Sequence, residues 1–120
     1  MLDRLLETSS EILGSLGPAA QAAIPTLLKG LKSEYWNVEE FSGKALAGIG
    51  VPAIPALIGC LKDEKIGTRM MAAKALGEIG PAAKIAIPAL KKSLKNTKGM
   101  NNSNYEQTIK DALIQIGKQK

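Results

Sequence analysis

The segment LKDEKIGTRMMAAKALGEIG, from Leu61 to Gly80, is the clearest copy of an internal repeat in this chain of 120 residues. A second copy, LKSEYWNVEEFSGKALAGIG from Leu31 to Gly50, aligns with it without a gap, and a looser copy runs from Leu94 to Gly117. Each copy overlaps the end of a second repeated phrase, and these phrases are IPTLLKGLK from Ile24, IPALIGCLK from Ile54 and IPALKKSLK from Ile87. The repeat unit therefore contains two helices, and a period of 30 to 37 residues is typical of a helical solenoid.

Proline and glycine mark the ends of the predicted helices. Pro25, Pro55 and Pro88 suit the first turn of a helix, where the missing N–H would have had no partner within the helix. A glycine that follows an apolar pattern can take the left-handed conformation that ends a helix, and a following proline discourages continuation. The glycines are Gly17, Gly50, Gly80 and Gly117, and the prolines are Pro18, Pro52 and Pro81. The first set of prolines therefore begins outer helices, and the glycines close inner helices.

Apolar residues recur at spacings of three and four within each predicted inner helix. These columns are Ala45, Leu46 and Ile49, then Ala75, Leu76 and Ile79, then Ala112, Leu113 and Ile116, with Ile12, Leu13 and Leu16 before them. Such spacings place the side chains on one face of a helix, so we expect the columns to be buried.

The pattern predicts an all-α fold, an α-solenoid of antiparallel helix pairs with about seven helices. Residues 1–120 then form a single domain, with an orphan inner helix in residues 1–17 and repeats over residues 18–50, 51–80 and 81–117. The apolar edge of the orphan helix fits a cap, a dimer contact or an excerpt of a longer array. Four extra residues in the third repeat predict a polar loop between Lys95 and Tyr105, as a partner contact or as decoration.

The segment from Leu61 to Gly80, preceded by VPAIPALIGC, resembles the HEAT-like repeat of the phycobilisome-lyase type, and the resemblance covers nearly the whole chain. It implies helix pairs stacked into a HEAT-like superhelix, with the second helix of each pair on the concave side. It also implies that Asp63 and Arg69 tie successive turns together. The equivalent residues of the other repeats are Ser33 with Glu39 and Asn96 with Glu106. A continuous Asp–Arg ladder is therefore not expected, and neither is lyase activity, because the resemblance lies in the scaffold alone.

The composition narrows the classes of protein to which the chain can belong. Cys60 is the one cysteine and no signal segment is recognisable, which favours a reducing, cytoplasmic setting. Gly, Pro and Lys interrupt the apolar runs before the roughly 20 residues that a membrane span requires, so we expect no membrane segment. The net charge is +5, and residues 91–120 contain seven basic and two acidic side chains. The basic charge therefore lies in the C-terminal half.

Residues typical of catalytic and metal sites are scarce. The chain has no histidine and one cysteine, which excludes Ser–His and Cys–His nucleophile pairs and the zinc sites built from those residues. Cys60 shares a column with Gly30 and Ser93, which indicates a packing position rather than a reactive thiol. No glycine-rich phosphate loop is present. We therefore expect a protein that is not an enzyme and that uses no cofactor and no metal.

One stripe of the inner helices is more apolar than a solvated face should be. It lies opposite the buried columns and consists of Trp36, Glu40, Phe41, Lys44, Ile66, Met70, Met71, Lys74 and Glu78. An apolar centre with a charged rim is typical of a protein-binding surface. These nine residues, called the concave patch below, are the candidate partner-binding site. The alternative is that some of them complete the core, and we expect one of the two methionines to be buried.

The sequence leaves two possible functions open. The first, which the pattern favours, is a non-catalytic scaffold or adaptor that holds a protein partner on the concave face, as a monomer or as a dimer through the N-terminal helix edge. The second is weak, sequence-independent nucleic-acid binding by the basic C-terminal half, with Lys91, Lys92, Lys95 and Lys98 near phosphates. No interleaved aromatic residues accompany these lysines.

Overall fold

The regular secondary structure of the described residues is helical throughout. A computed structural model describes residues 18–96 and 103–118. Its α-helices are α1 (Pro18–Gln21), α2 (Ile24–Leu31), α3 (Trp36–Ile49), α4 (Ile54–Cys60), α5 (Ile66–Ile79), α6 (Ile87–Asn96) and α7 (Ser103–Gly117). Two 3-10 segments, Val51–Ala53 and Gly80–Ala86, lead into α4 and α6. The predicted all-α class is confirmed for these residues.

The described residues contain five helices of eight residues or more, fewer than the predicted number of about seven helices. Helix α4 has seven residues, because the N–H of Lys62 already donates to the carbonyl of Gly59 in a turn. Helix α1 has four residues. The predicted orphan helix of residues 1–17, with its apolar column, lies outside the described residues. No helix in the described ranges is long and apolar enough to cross a lipid bilayer.

Prolines begin the outer helices as predicted, and two glycines end inner helices with positive φ. Gly50 has φ 79° and ψ −133°, and Gly80 has φ 78° and ψ −146°. The positive φ is confirmed, but these ψ values are extended and differ from the left-handed helical region that we predicted. Gly117 is instead the last residue of α7 and has no positive φ. The prediction for this glycine is therefore wrong.

The loop predicted between Lys95 and Tyr105 is shorter than expected. Helix α6 continues to Asn96 and α7 begins at Ser103, so both ends of the predicted loop are helical. Tyr105 is 3% exposed and belongs to the core. Residues 97–102, the remainder of the predicted loop, lie outside the described residues.

The helices pack as three consecutive pairs. Helix α2 packs on α3, α4 on α5 and α6 on α7, and the inner helices follow one another, with α3 against α5 and α5 against α7. The connections after α2 and α4 span residues 32–35 and 61–65. Connections this short reverse the direction of the chain and place the two helices of a pair side by side. The long segment Gly80–Ala86 packs against α7.

The predicted columns of the inner helices form the core. Seven of their nine members within the described residues are buried, and Ile79 and Leu113 are partly buried against the same cluster. The outer helices contribute Leu31, Leu57 and Leu90, each with no exposed surface. Burying one such side chain stabilises the fold by about 1.5–3 kcal/mol relative to leaving it in water. The core is therefore a continuous layer between outer and inner helices.

Neighbouring helices approach closely where small residues face each other. A Cβ atom at Gly30 on α2 would overlap the hydroxyl of Ser42 and would lie 2.9 Å from its Cβ on α3. A Cβ atom at Gly77 on α5 would lie 2.9 Å from Cα of Ala112 on α7. Because Cα of Ala112 and Cβ of Ser42 are both fixed by the backbone and cannot move aside, these glycines set the distance between helices.

Truncation of a buried leucine should test the repeat register. Leu46→Ala and Leu76→Ala should each lower the free energy of unfolding by about 2–5 kcal/mol, through lost transfer energy and a residual cavity. Ile114→Ala, at a side chain that is 59% exposed, is the control and should change it by less than about 0.5 kcal/mol. Urea unfolding monitored by circular dichroism measures all three. A loss at Ile114 equal to that at the leucines would refute the register.

Two glycine substitutions should have opposite effects although both add the same methyl group. Gly30→Ala should destabilise the protein by about 1–3 kcal/mol, because overpacking against Ser42 exceeds the gain of about 1 kcal/mol in helix propensity. Gly59→Ala should be neutral or stabilising by up to about 1 kcal/mol, since nothing lies within 4 Å of its added Cβ. Urea midpoints measure both. Equal midpoints would show that α2 and α3 can separate without cost.

Candidate functional site

The structure places the concave patch on α3 and α5, with a range of exposure. Trp36 is 68% exposed, and Lys74 and Glu78 are exposed as well. Glu40 and Lys44 are partly exposed. Trp36 therefore offers the largest free aromatic surface of the patch.

The apolar members of the patch contribute to the core more than the helical period predicts. Phe41, Ile66, Met70 and Met71 are partly buried and pack against the core cluster. The expectation that one methionine would be fully buried is wrong, because both are half-buried. The terminal methyl of Met71 lies where a Cβ at Gly43 would be 2.9 Å away. The absence of a side chain at Gly43 thus makes room for Met71 between α3 and α5.

The charged members of the patch lie close enough to influence one another. Partial burial raises the pKa of Glu78, and the negative charge of Glu40 adds to the rise. The ammonium groups of Lys74 and Lys44 act against it and lower the pKa of the same carboxyl. Two helices thus contribute charges of both signs to one area, as the sequence predicted.

A groove of about 630 Å³ lies between α5 and α7. Met70, Met71, Lys74 and Glu78 line its α5 side. The side of α7 contributes Thr108, Asp111 and Gln115, and Gly77 with Ala112 forms the close contact at the floor. The groove is therefore shallow, apolar near the methionines and charged along both rims. It is called the inner groove below.

Sequence reasoning missed the α7 residues of the inner groove, although the repeat register contains them. Thr108, Asp111 and Gln115 follow Met71, Lys74 and Glu78 by 37 residues each, which is the distance from Gly80 to Gly117. The prediction stopped at the second repeat because the third repeat carries polar residues at these positions. Trp36, in contrast, is not among the residues that line the inner groove.

The junction between the first two pairs is held by side chains from the second. The ammonium of Lys65 donates to the carbonyls of Lys32 at 3.2 Å and Ser33 at 2.8 Å, and lies 4.0 Å from Oε2 of Glu39. The buried hydroxyl of Thr68 donates to the carbonyl of Leu31 at 3.3 Å. The carbonyl groups at the end of α2, which no helical N–H can reach, are thus satisfied by the next repeat.

Asp63 links successive turns, as the resemblance implies, but its partner is a lysine. Its Oδ2 lies 3.3 Å from Nζ of Lys32 in the preceding repeat, and its Oδ1 accepts the backbone N–H of Lys65 at 2.9 Å. That backbone hydrogen bond is the largest cause that lowers the pKa of Asp63, and Lys32 lowers it further. Ser33 forms the same turn in the first repeat, where its hydroxyl accepts the N–H of Tyr35 at 3.0 Å.

Arg69 connects the second pair with the third. Its Nη1 donates to the carbonyl of Asp63 at 2.7 Å, and its guanidinium carbon lies 5.4 Å from the centre of the Tyr105 ring. Attraction between a cation and an aromatic face is worth about 0.5–2 kcal/mol, depending on desolvation. Arg69 therefore fixes the connection after α4 and also orients the start of α7.

Reactive chemistry is sparse around these surfaces. Cys60 is 8% exposed, and burial raises the pKa of its thiol, which disfavours the nucleophilic thiolate. Within residues 18–96 and 103–118, no three His, Cys, Asp or Glu side chains lie together in a way that could hold a metal ion. What the inner groove offers is apolar surface, hydrogen-bonding groups and charge, which suits binding.

Comparison with known proteins gives one positive result. A family model described as HEAT repeats matches residues 10–100 of the chain. The match spans all of the first two helix pairs and the helix α6 of the third. No curated protein sequence matches the chain.

Removal of the Asp63 charge should produce a pH-dependent loss of stability. Because the folded-state pKa of Asp63 lies below its unfolded value, the ionised carboxylate stabilises the fold above about pH 4, and this contribution disappears as pH falls through the folded-state pKa. Asp63→Asn retains an oxygen for the N–H of Lys65 and removes only the charge. The variant should be less stable than the parent at pH 7, and in urea unfolding the difference should shrink as pH falls through the folded-state pKa of Asp63. A difference that does not shrink as pH falls would contradict the lowered folded-state pKa of Asp63.

Proposed function

The chain belongs to the family of HEAT repeat proteins, and from this membership we propose that it is a non-catalytic scaffold or adaptor for a protein partner. HEAT repeats stack helix pairs so that each contacts its neighbours and leave extended surfaces for binding. The consecutive packing of α3, α5 and α7 supports an α-solenoid in which these three helices form the concave side. The partner would lie along them.

The inner groove is the observation that supports this proposal most directly. It places two half-buried methionines, Met70 and Met71, between rims that carry Lys74, Glu78 and Asp111. Methionine is flexible and polarisable, so it can adapt its shape to an apolar side chain of a partner. Charges of both signs on the rims select the partner's orientation more than they add affinity. Trp36, exposed at the start of α3, would supply a further anchor outside the groove.

Other functions have less support in the described residues. Lys91, Lys92 and Lys95 are exposed on α6, but the aromatic residue nearest to them in the third repeat, Tyr105, is buried and unable to stack on a base. Nucleic-acid binding would then be electrostatic and steeply salt-dependent. With Cys60 as its one cysteine, the scaffold is proposed to work in the reducing cytoplasm.

Affinity purification with groove variants should test the proposal. The parent chain, a Lys74→Glu/Asp111→Lys double variant and Trp36→Ala are immobilised in parallel and exposed to lysate of the source organism. Partners that use the inner groove should be depleted more than about fivefold with the double variant. This depletion corresponds to a loss of binding free energy above about 1 kcal/mol. Quantitative mass spectrometry measures the depletion. Each isolated partner is then titrated against the same variants.

Lys29→Glu is the matched control, because Lys29 is an exposed lysine on the outer helix α2. It should retain every partner, and all variants should melt within a degree or two of the parent since the substituted side chains are exposed. Equal capture by the parent and the double variant would refute the inner groove as the binding surface. Capture that disappears with nuclease or at raised salt would favour nucleic acid instead.

A further inference from the structure

We propose that a second groove, between the outer helices α4 and α6, binds an acidic peptide segment of a partner protein, with carboxylates beside one apolar side chain. This groove, called the outer groove below, has a volume of about 660 Å³. It shares no lining residue with the inner groove, so the inference stands apart from the function proposed above.

The walls of the outer groove combine an apolar surface with positive charge. Ile58 on α4 and Pro88 and Ala89 on α6 supply apolar surface for a partner side chain, with the buried Leu61 beneath them. Lys62 and Lys92 stand on either side. No acidic side chain is among the lining residues that the structure describes. A ligand that complements this groove is apolar at its centre and negative beside it.

Both lysines are available to an incoming anion. Lys62 and Lys92 are exposed, and within the described ranges neither ammonium takes part in an ion pair. Lys65, at the preceding junction, shows the contrast, because its ammonium is bound by the carbonyls of Lys32 and Ser33. A partner carboxylate at the outer groove therefore displaces water only, and breaks no contact within the protein.

The third cation of the groove is already held in position. Arg69 donates to the carbonyl of Asp63 at 2.7 Å and lies over the ring of Tyr105 at 5.4 Å. These hydrogen-bond and ring partners are uncharged groups, and because they hold the guanidinium in place it loses little mobility on binding. The carboxylate of Asp63, which could oppose an anion, is 3.3 Å from the ammonium of Lys32. Its negative charge is thereby offset.

The residues that line the outer groove favour a peptide over a nucleic acid. Sequence-tolerant binding of single strands requires aromatic faces on which bases stack. Tyr105 is the aromatic residue of the outer groove, and at 3% exposure its face is covered by Arg69 and the core. A phosphate backbone would also leave the apolar wall formed by Ile58 and Ala89 facing water. An acidic peptide with a leucine covers that wall and reaches both lysines.

Fluorescence anisotropy with defined probes tests the inference on the full chain. The probe is a fluorescein-labelled peptide of about eight residues with one central leucine flanked by aspartate and glutamate. The peptide should bind saturably, with a Kd below about 1 mM. Lys62→Glu and Lys92→Glu should each weaken binding roughly tenfold, and Lys62→Gln and Lys92→Gln by a smaller factor of about two to five. Lys84→Glu, at an exposed lysine outside the groove, is the matched control and should bind as the parent does.

Two further probes separate the apolar and charged contributions. Replacement of the leucine by asparagine should weaken binding, and replacement of the acids by lysine should abolish it. A labelled oligothymidylate of about eight nucleotides serves as the nucleic-acid probe. The inference fails if the acidic peptide does not bind, if Lys84→Glu weakens it as much as the groove variants do, or if the oligonucleotide binds more tightly. None of these outcomes bears on the inner groove.

Discussion

Each helix pair in this chain leaves apolar side chains that only a neighbouring pair can cover. Helix α5 shows the constraint most clearly, because it packs against α4 of its own pair and against α3 and α7 of the flanking pairs. Ala72, Ala73 and Leu76, all on α5, have no exposed surface as a result. Stability therefore resides in the junctions as much as in the pairs, and the array behaves as a chain of nearest-neighbour interactions.

The two junctions meet this constraint in different ways. Between the first and second pairs, polar side chains reach back to the free carbonyls at the end of α2, as Lys65 and Thr68 do. Between the second and third pairs, the helix backbones come together at Gly77 and Ala112, and Arg69 stacks on an aromatic ring. A close approach of backbones leaves long side chains on either side of the contact. The grooves on the inner and outer helices both lie at this second junction.

The two grooves differ in the charge that they present. Lys74, Glu78 and Asp111 give the inner groove both signs. Lysine and arginine alone give charge to the described walls of the outer groove. Both grooves are formed by the second and third repeats, but they share no lining residue. A partner in one groove therefore leaves the other groove accessible. Such a division of surfaces suits a protein that holds two partners, or two segments of one partner, on a short array.

Local rules were sufficient for most of the architecture. The repeat period, the prolines of the outer helices and the columns around Leu46 and Leu76 follow from spacing within one helix, and the structure agrees with them. The same register also contains the residues on the α7 side of the inner groove. They were not predicted as part of a binding surface, because they are polar. Gly50 and Gly80 after α3 and α5 were predictable, but their ψ angles depend on the path into the following 3-10 segment.

Packing between helices decided what the helical period could not. The period assigns Met70 and Met71 to an exposed stripe, yet both are half-buried, because depth depends on how close the next helix comes. Tyr105 looked like the end of a polar loop and is part of the core beneath Arg69. An insertion shifts the repeat register, so the sequence alone did not reveal which residue meets that arginine. The physical reason is common to both cases: periodicity describes one helix, whereas burial depends on the distance to its neighbours.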